Sequence, residues 1–298
     1  MVKKIILAKP RGFCAGVKRA IKTAELALEK YEKIYIKHEI VHNKHVVKAL
    51  EEEGAITINK LENVPENSTV IFSAHGSSPQ EYELAKKRNL RVIDATCPLV
   101  TKVHLEAKKF AKEGYNIIYI GKEGHQEAIG VLAESPNIIL ISSIEDIDKL
   151  NFEDDKIACL TQTTLNVNDT NNIIKALRKK FPSLVVPVKE DICFSTTNRQ
   201  EAVKELTKLC DVIIVVGSKN SSNSNKLVQL AKQLGKKAYL IDDLTELPEL
   251  NADVLGITAG ASAPEHLVKE LINYFNCDVE ELKIIEEDII FSLPKIDN

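Results

Sequence analysis

Three times along this chain a short apolar run reaches a cysteine and then passes into a helical pattern. That repetition limits the fold more than any other feature. Residues 9–20 read K-P-R-G-F-C-A-G-V-K-R-A, with Cys14 following the run 4–8 and preceding Val17, Ala20, Ile21, Ala24 and Leu28 at helical spacing. D-A-T-C-P-L-V-T-K-V repeats this around Cys97, ahead of Val100, Val103, Ala107 and Phe110. E-D-I-C-F-S-T-T-N-R-Q-E-A-V repeats it around Cys193, ahead of Val203, Leu206 and Leu209. Strand-like runs alternate with helical patterns in the same order after each cysteine. They fall at 34–40, 55–58, 70–73 and 90–93, then at 116–120, 138–141, 156–160 and 184–188, then at 212–216, 238–241 and 254–258. Such alternation predicts an α/β fold of parallel sheets with helices on both faces. Its triplication predicts three similar α/β domains about a pseudo-threefold axis, at 14–96, 97–192 and 193–281. Residues 1–13 and 282–298 are then terminal segments that close the structure.

Sheets of this kind place ligands outside the carboxyl ends of their strands. The polar clusters of the sequence fall at those ends: the three cysteines, then His42, His125 and Ser221, Ser222 and Asn223, then His75, Thr163 and Ser262. One shared pocket explains equivalent positions in all three repeats better than unrelated turns do. Three thiolates at strand–helix junctions suit an iron–sulfur cluster, and the positive ends of the helices favour an anionic group there. With only three repeated ligands, one iron stays open as a Lewis acid. A zinc ion held by the three cysteines and a histidine is the metal alternative. The dinucleotide and Walker patterns are absent, so a bound phosphate must be held by side chains such as His42, His75, Ser221, Ser222, Asn223 and Ser262. Glu127, in the loop that carries His125, is a candidate to hold or relay a proton. His38-Glu39-Ile40-Val41-His42 matches the H-E-x-x-H zinc-protease pattern, but that chemistry needs a helix, and the stretch reads as the continuation of a strand. His104 and His266, inside helical patterns, read as structural.

Composition narrows the class. Forty basic against 43 acidic side chains leave no nucleic-acid footprint. Apolar runs such as 212–216 are far too short to cross a bilayer, and the N-terminus is too short in apolar residues for a signal peptide. A soluble cytoplasmic protein is the expectation. None of the six cysteines forms a C-x-x-C pair. Cys159, Cys210 and Cys277 read as small buried hydrophobes.

The segments P-R-G-F-C-A-G-V, H-E-I-V-H-N, F-S-A-H-G, D-A-T-C-P-L-V-T-K-V-H, T-Q-T-T-L, D-I-C-F-S-T-T-N-R-Q, V-V-G-S-K-N-S-S-N-S and T-A-G-A-S-A-P occur in this order between Pro10 and Pro264. Together they resemble the IspH/LytB family of 4-hydroxy-3-methylbut-2-enyl diphosphate reductases. The resemblance implies a trefoil of three α/β domains around one [4Fe–4S] cluster per chain, with Cys14, Cys97 and Cys193 as its ligands. It implies that His42, His75, Ser221, Ser222, Asn223 and Ser262 hold the diphosphate, with His125 close by. Thr163 and Glu127 match the pair near the substrate hydroxyl, the glutamate delivering a proton. The implied reaction is a reductive dehydroxylation giving isopentenyl and dimethylallyl diphosphate, the last step of the non-mevalonate isoprenoid pathway. Reduced ferredoxin or flavodoxin is the implied electron donor. Phe194 stands where some relatives have tyrosine. Two other readings of a three-cysteine cluster remain open at this point: a lyase like quinolinate synthase, and a non-catalytic iron–sulfur sensor or electron carrier.

Overall fold

The computed structural model describes residues 2–152 and 155–296. The outermost residues of the two expected terminal segments, 1 and 297–298, lie outside the described residues. From the N-terminus the chain forms β1 (Lys4–Lys9), α1 (Ala15–Lys30), β2 (Ile34–Lys37), α2 (Lys44–Glu52), β3 (Ala55–Ile58), β4 (Thr69–Phe72), α3 (Pro79–Lys87) and β5 (Arg91–Asp94). It continues through α4 (Pro98–Lys112), β6 (Asn116–Ile120), α5 (Gln126–Leu132), β7 (Ile138–Ile141), β8 (Ile157–Thr161) and α6 (Val167–Lys180). The last stretch is α7 (Phe194–Leu209), β9 (Val212–Val216), α8 (Ser222–Gln233), β10 (Lys237–Ile241), β11 (Val254–Ala259), α9 (Glu265–Phe275) and β12 (Asp278–Lys283).

The strands form three parallel sheets, ordered β10-β9-β11-β1-β12, β3-β2-β4-β5 and β7-β6-β8. This is the α/β class expected from the alternation. Backbone contacts divide the chain into two compact units. One is Met1–Lys18, Val41–Ala49 and Phe194–Ile290, and it holds the five-stranded sheet; the other is Arg19–Ile40, Leu50–Cys193 and Phe291–Asn298, and it holds the other two sheets.

In the first unit both faces of the sheet are covered, so its inner strands carry near-continuous apolar runs, as at 5–8 and 212–216. Ile5, Leu7, Ile214 and Ile257 pack with Leu267, Val268 and Leu271 of α9. Ile6, Ile213 and Val215 face Val203 and Leu206 of α7 and Leu227 and Leu230 of α8. In the second unit, Ile117 and Tyr119 of β6 turn to Val103 and Ala107 of α4, while Ile118 and Ile120 turn to Ile173 and Leu177 of α6. Local chemistry starts the helices: Ser78 and Glu81 form a reciprocal capping box on α3 with Pro79 behind the cap, and Asn166 caps α6 by accepting from Asp169 N–H at 3.0 Å.

Two expected strands end early. The run 34–40 stops at Lys37 because His38 takes φ +61°, which breaks the pleat, and no helix forms before Lys44. His38 and His42 therefore lie neither on a helix, as a zinc protease requires, nor on one face of a strand. The run 184–188 is no strand: only Val185 bridges Ala158, and Pro187 has no N–H to extend the ladder. Among the described residues no helix is long and apolar enough to cross a membrane.

Candidate functional site

All three repeated cysteines are partly exposed, and each directly precedes a helix, α1, α4 or α7. Each also makes the same backbone bond. Cys14 N–H donates to Ala261 O (3.1 Å), Cys97 N–H to Ala74 O (3.0 Å) and Cys193 N–H to Thr163 O (3.1 Å). Each acceptor stands two residues beyond the end of a buried strand: β11, β4 and β8 respectively. The repeat seen in the sequence is thus also a repeat of hydrogen bonding. At Cys14 the helix start points an amide at the sulfur, Val17 N lying 3.5 Å from Sγ. Such ends favour an anionic group.

The remaining cysteines differ. Cys159 and Cys210 are buried; burial raises the Cys159 thiol strongly and pushes that of Cys210 up to about 12. Cys277 is half-buried against the core, where the sequence reading has it buried, and burial raises its thiol as well. Among the described residues no three His, Cys, Asp or Glu side chains gather as a single ion requires. A cluster gives each thiolate its own iron and sets no such demand. The donor chemistry of Cys14, Cys97 and Cys193 fits it.

The second unit holds Cys97, Cys193, His75, His125, Glu127 and Thr163. His125 caps α5, its Nδ1 accepting from Glu127 N–H at 3.2 Å. An accepting Nδ1 in a neutral ring leaves the proton on Nε2. His75 lies 3.1 Å from Ser73 Oγ through Nδ1, and its ring meets that of His125 edge to face at 6.0 Å. Glu127 is only 2% exposed. Its Oε1 accepts from Thr163 N–H at 2.7 Å, and its Oε2 from the Thr163 hydroxyl at 3.0 Å. Burial pushes the carboxyl up to about 7; the two Thr163 bonds oppose the rise and the Asp191 charge adds to it.

This shift sets a pH dependence. As pH rises from about 4.5 to about 7 the unfolded chain gives up the Glu127 proton while the folded chain keeps it, so this group's contribution to stability falls through that window. The thermal midpoint of cluster-free wild type, relative to Glu127→Gln, should therefore decline over the same range. A flat difference in a pH series of unfolding scans would rule the shift out.

The first unit holds Cys14, His42, Ser221, Ser222, Asn223 and Ser262. Ser221 caps α8, accepting from Ser224 N–H at 3.3 Å, and Ser222 and Asn223 form the first turn. Asn223 Oδ1 accepts from Ala261 N–H at 3.0 Å, which orients the side chain and leaves Nδ2 a buried donor without a partner. The Ser262 hydroxyl donates to His42 O at 2.9 Å. Gly217 and Gly260 let the loops close on Ser224, since a Cβ at either position would overlap its hydroxyl. A helix start lined by buried hydroxyls and an unpaired amide is suited to an anion.

The structural histidine of the sequence reading, His104, is buried and pairs through Nδ1 with Glu134 at 2.6 Å. His266 is exposed and meets His45 edge to face. Sequence reasoning passed over Ser73, which pairs with His75, and over Lys102 and Asp191, which pair at 2.7 Å. The signal was present in D-I-C and T-K-V-H, a charge close to each of two cysteines, but it has the look of ordinary solvated residues.

The family model described as LytB protein matches residues 5–276. The 4-hydroxy-3-methylbut-2-enyl diphosphate reductase of Actinobacillus succinogenes is 49% identical, covering 98% of this chain and 97% of its own. Its namesake from Histophilus somni is 51% identical with the same coverage. Among solved structures, the E-1-hydroxy-2-methyl-but-2-enyl-4-diphosphate reductase from Plasmodium falciparum aligns with a TM-score of 0.96 at 42% identity, over 99% of this chain and 96% of that one. A match of this extent, on a fold that agrees with it, makes the chain a member of the LytB protein family and, like these relatives, an oxidoreductase.

Proposed function

We propose that the chain catalyses the reductive dehydroxylation of 4-hydroxy-3-methylbut-2-enyl diphosphate to isopentenyl and dimethylallyl diphosphate, the last step of the non-mevalonate isoprenoid pathway. The reaction takes up two electrons and two protons, breaks the allylic C–O bond and releases water. The single observation that carries this reading is the buried Glu127–Thr163 pair, a carboxyl that holds a proton near neutrality beside a hydroxyl able to pass it on. The names of the half-identical relatives support it. In this reading Cys14, Cys97 and Cys193 hold one [4Fe–4S] cluster. When bound, the cluster supplies the electrons and an iron, unligated by the chain, that polarises the hydroxyl oxygen.

The chain's own residues do the rest. Ser221, Ser222, Asn223 and Ser262, with His42, His75 and His125, take the diphosphate, and its remote binding energy orients the allylic end. Thr163 binds the hydroxyl, and Glu127 delivers a proton through it to the departing oxygen. Buried surroundings keep that proton on the carboxyl until it is needed. We place the reaction in the cytoplasm, with reduced ferredoxin or flavodoxin as donor, and read the architecture as three repeated units, 14–96, 97–192 and 193–281.

Anaerobic turnover of the diphosphate by reconstituted protein with a reduced viologen dye tests the proposal. Dye oxidation with formation of both products is expected; no turnover by protein carrying four irons would overturn it and favour the lyase or sensor. The ligand set has its own check. Serine at Cys14, Cys97 or Cys193 should abolish stable iron uptake, whereas alanine at Cys210 should leave four irons per chain by iron and sulfide analysis.

A further inference from the structure

The stretch that delivers Cys193 is weakly held by ordinary means. After the single bridge at Val185 it joins no sheet until α7 begins. Ile192 and Val186 pack against the core of this unit, but with Pro187 and Asp191 they also border a cavity of about 210 Å³ shared with Thr161 and Ile174. Beside that partial packing there is an ionic tie. Lys102, one turn beyond the start of α4, donates from Nζ to Lys189 O (2.8 Å) and to Asp191 Oδ1 (2.7 Å). Asp191 Oδ2 accepts Thr161 N–H at 2.9 Å. Glu106 Oε2 lies 3.2 Å from the same Nζ. The Asp191 side chain is 1% exposed, so this pair differs from the surface pairs that contribute little.

The tie meets three parts of the proposed centre. Lys102 belongs to the helix that Cys97 begins. Asp191 stands two residues before Cys193. Thr161 stands two residues before Thr163, whose carbonyl accepts the Cys193 N–H. We infer that Lys102 and Asp191 are positioning residues, holding Cys193 in register with Cys97 and Thr163 for cluster binding; the inference rests on the reading of those cysteines as cluster ligands. Partners behind a metal's direct ligands commonly govern retention of the metal in this way.

The test compares anaerobically reconstituted wild-type, Lys102→Met, Lys102→Arg and Asp191→Asn proteins. Two quantities are read: the rate of iron loss to a chelator, and the paramagnetic-resonance signature of the reduced cluster. Lys102→Met and Asp191→Asn should lose iron about 10- to 100-fold faster, with an altered signature. Lys102→Arg should return both toward wild type. Wild-type iron retention and signature in the Met and Asn variants, with at most a lower unfolding midpoint, would overturn the inference and leave an ion pair that serves stability alone. If Lys102→Met does not fold, Asp191→Asn decides by the same readouts, because asparagine keeps the shape and an acceptor for Thr161. Wild-type protein that takes up no cluster would overturn the ligand assignment and this inference together. A loaded wild type with unaffected variants overturns only the inference.

Discussion

Glu127→Gln protein should hold its iron and bind the diphosphate as the parent does, and should turn over about 10²- to 10⁴-fold more slowly. Glutamine has the same shape. Its carbonyl can accept Thr163 N–H and its amide can face the Thr163 hydroxyl, so the pocket stays filled and paired. What disappears is a proton that can leave. The wild-type carboxyl is suited to the task because burial raises it to about 7, close to the pH at which it must both hold and release that proton. Anaerobic single-turnover rates beside substrate affinity make the comparison, since a loss confined to affinity would have another cause. Thr163→Val, which removes the hydroxyl and keeps the backbone bond to Oε1, should fall between the two. Unchanged turnover in Glu127→Gln would sink the proton-delivery role.

Glu287→Ala should cost about 3–5 kcal/mol of folding stability, although Glu287 lies in a stretch without regular secondary structure. Its partner is Arg199, the largest fully buried side chain. Arg199 Nη1 donates to both Glu287 oxygens, at 3.0 and 3.1 Å, and to Ser195 O at 3.0 Å, while Nη2 donates to Gly12 O at 2.7 Å. Asn198 adds a bond to Glu287 Oε1 at 3.0 Å. Removing the carboxylate strands a guanidinium that is 1% exposed. Arg199→Met should cost less, because Glu287, 13% exposed, can turn toward water. Urea unfolding of the two variants gives the order. A Glu287→Ala loss below about 1 kcal/mol would mean that the C-terminal stretch does not hold the counter-charge in solution.

Much of this was legible in the residues. Cys14, Cys97 and Cys193 stand before helices as their surroundings announced, and most strand runs lie within a residue or two of their observed bounds. Glu127 and Thr163, 36 positions apart, come together, the first in the opening turn of α5, where the sequence reading had a loop, and the second in the turn after β8. What was not legible depends on single positions or on distance. One proline ends the pairing at Val185, and one positive φ ends β2 at Lys37. D-V-E-E-L-K carries no strand run in the sequence reading, yet it forms the edge strand β12, whose charges suit an exposed edge. Lys102 and Asp191, 89 positions apart, look like two surface charges until the fold buries one of them. The proton affinity of Glu127 is a property of its surroundings and has no counterpart in the chain text.

The five-stranded sheet sets an order of events during synthesis. Its strand β1 is made first, but both of its neighbours, β11 and β12, are made last. Until residue 283 has left the ribosome, the N-terminal strand has no complete pair of partners, and Ala261 O is not there to receive the Cys14 amide. The sheets over residues 34–94 and 116–161 need no such wait. Contacts this distant close slowly. The loop that carries Cys14 is therefore the last of the three to take shape, and in the proposed reading a cluster held by all three cysteines loads only after residues 254–283 have been made.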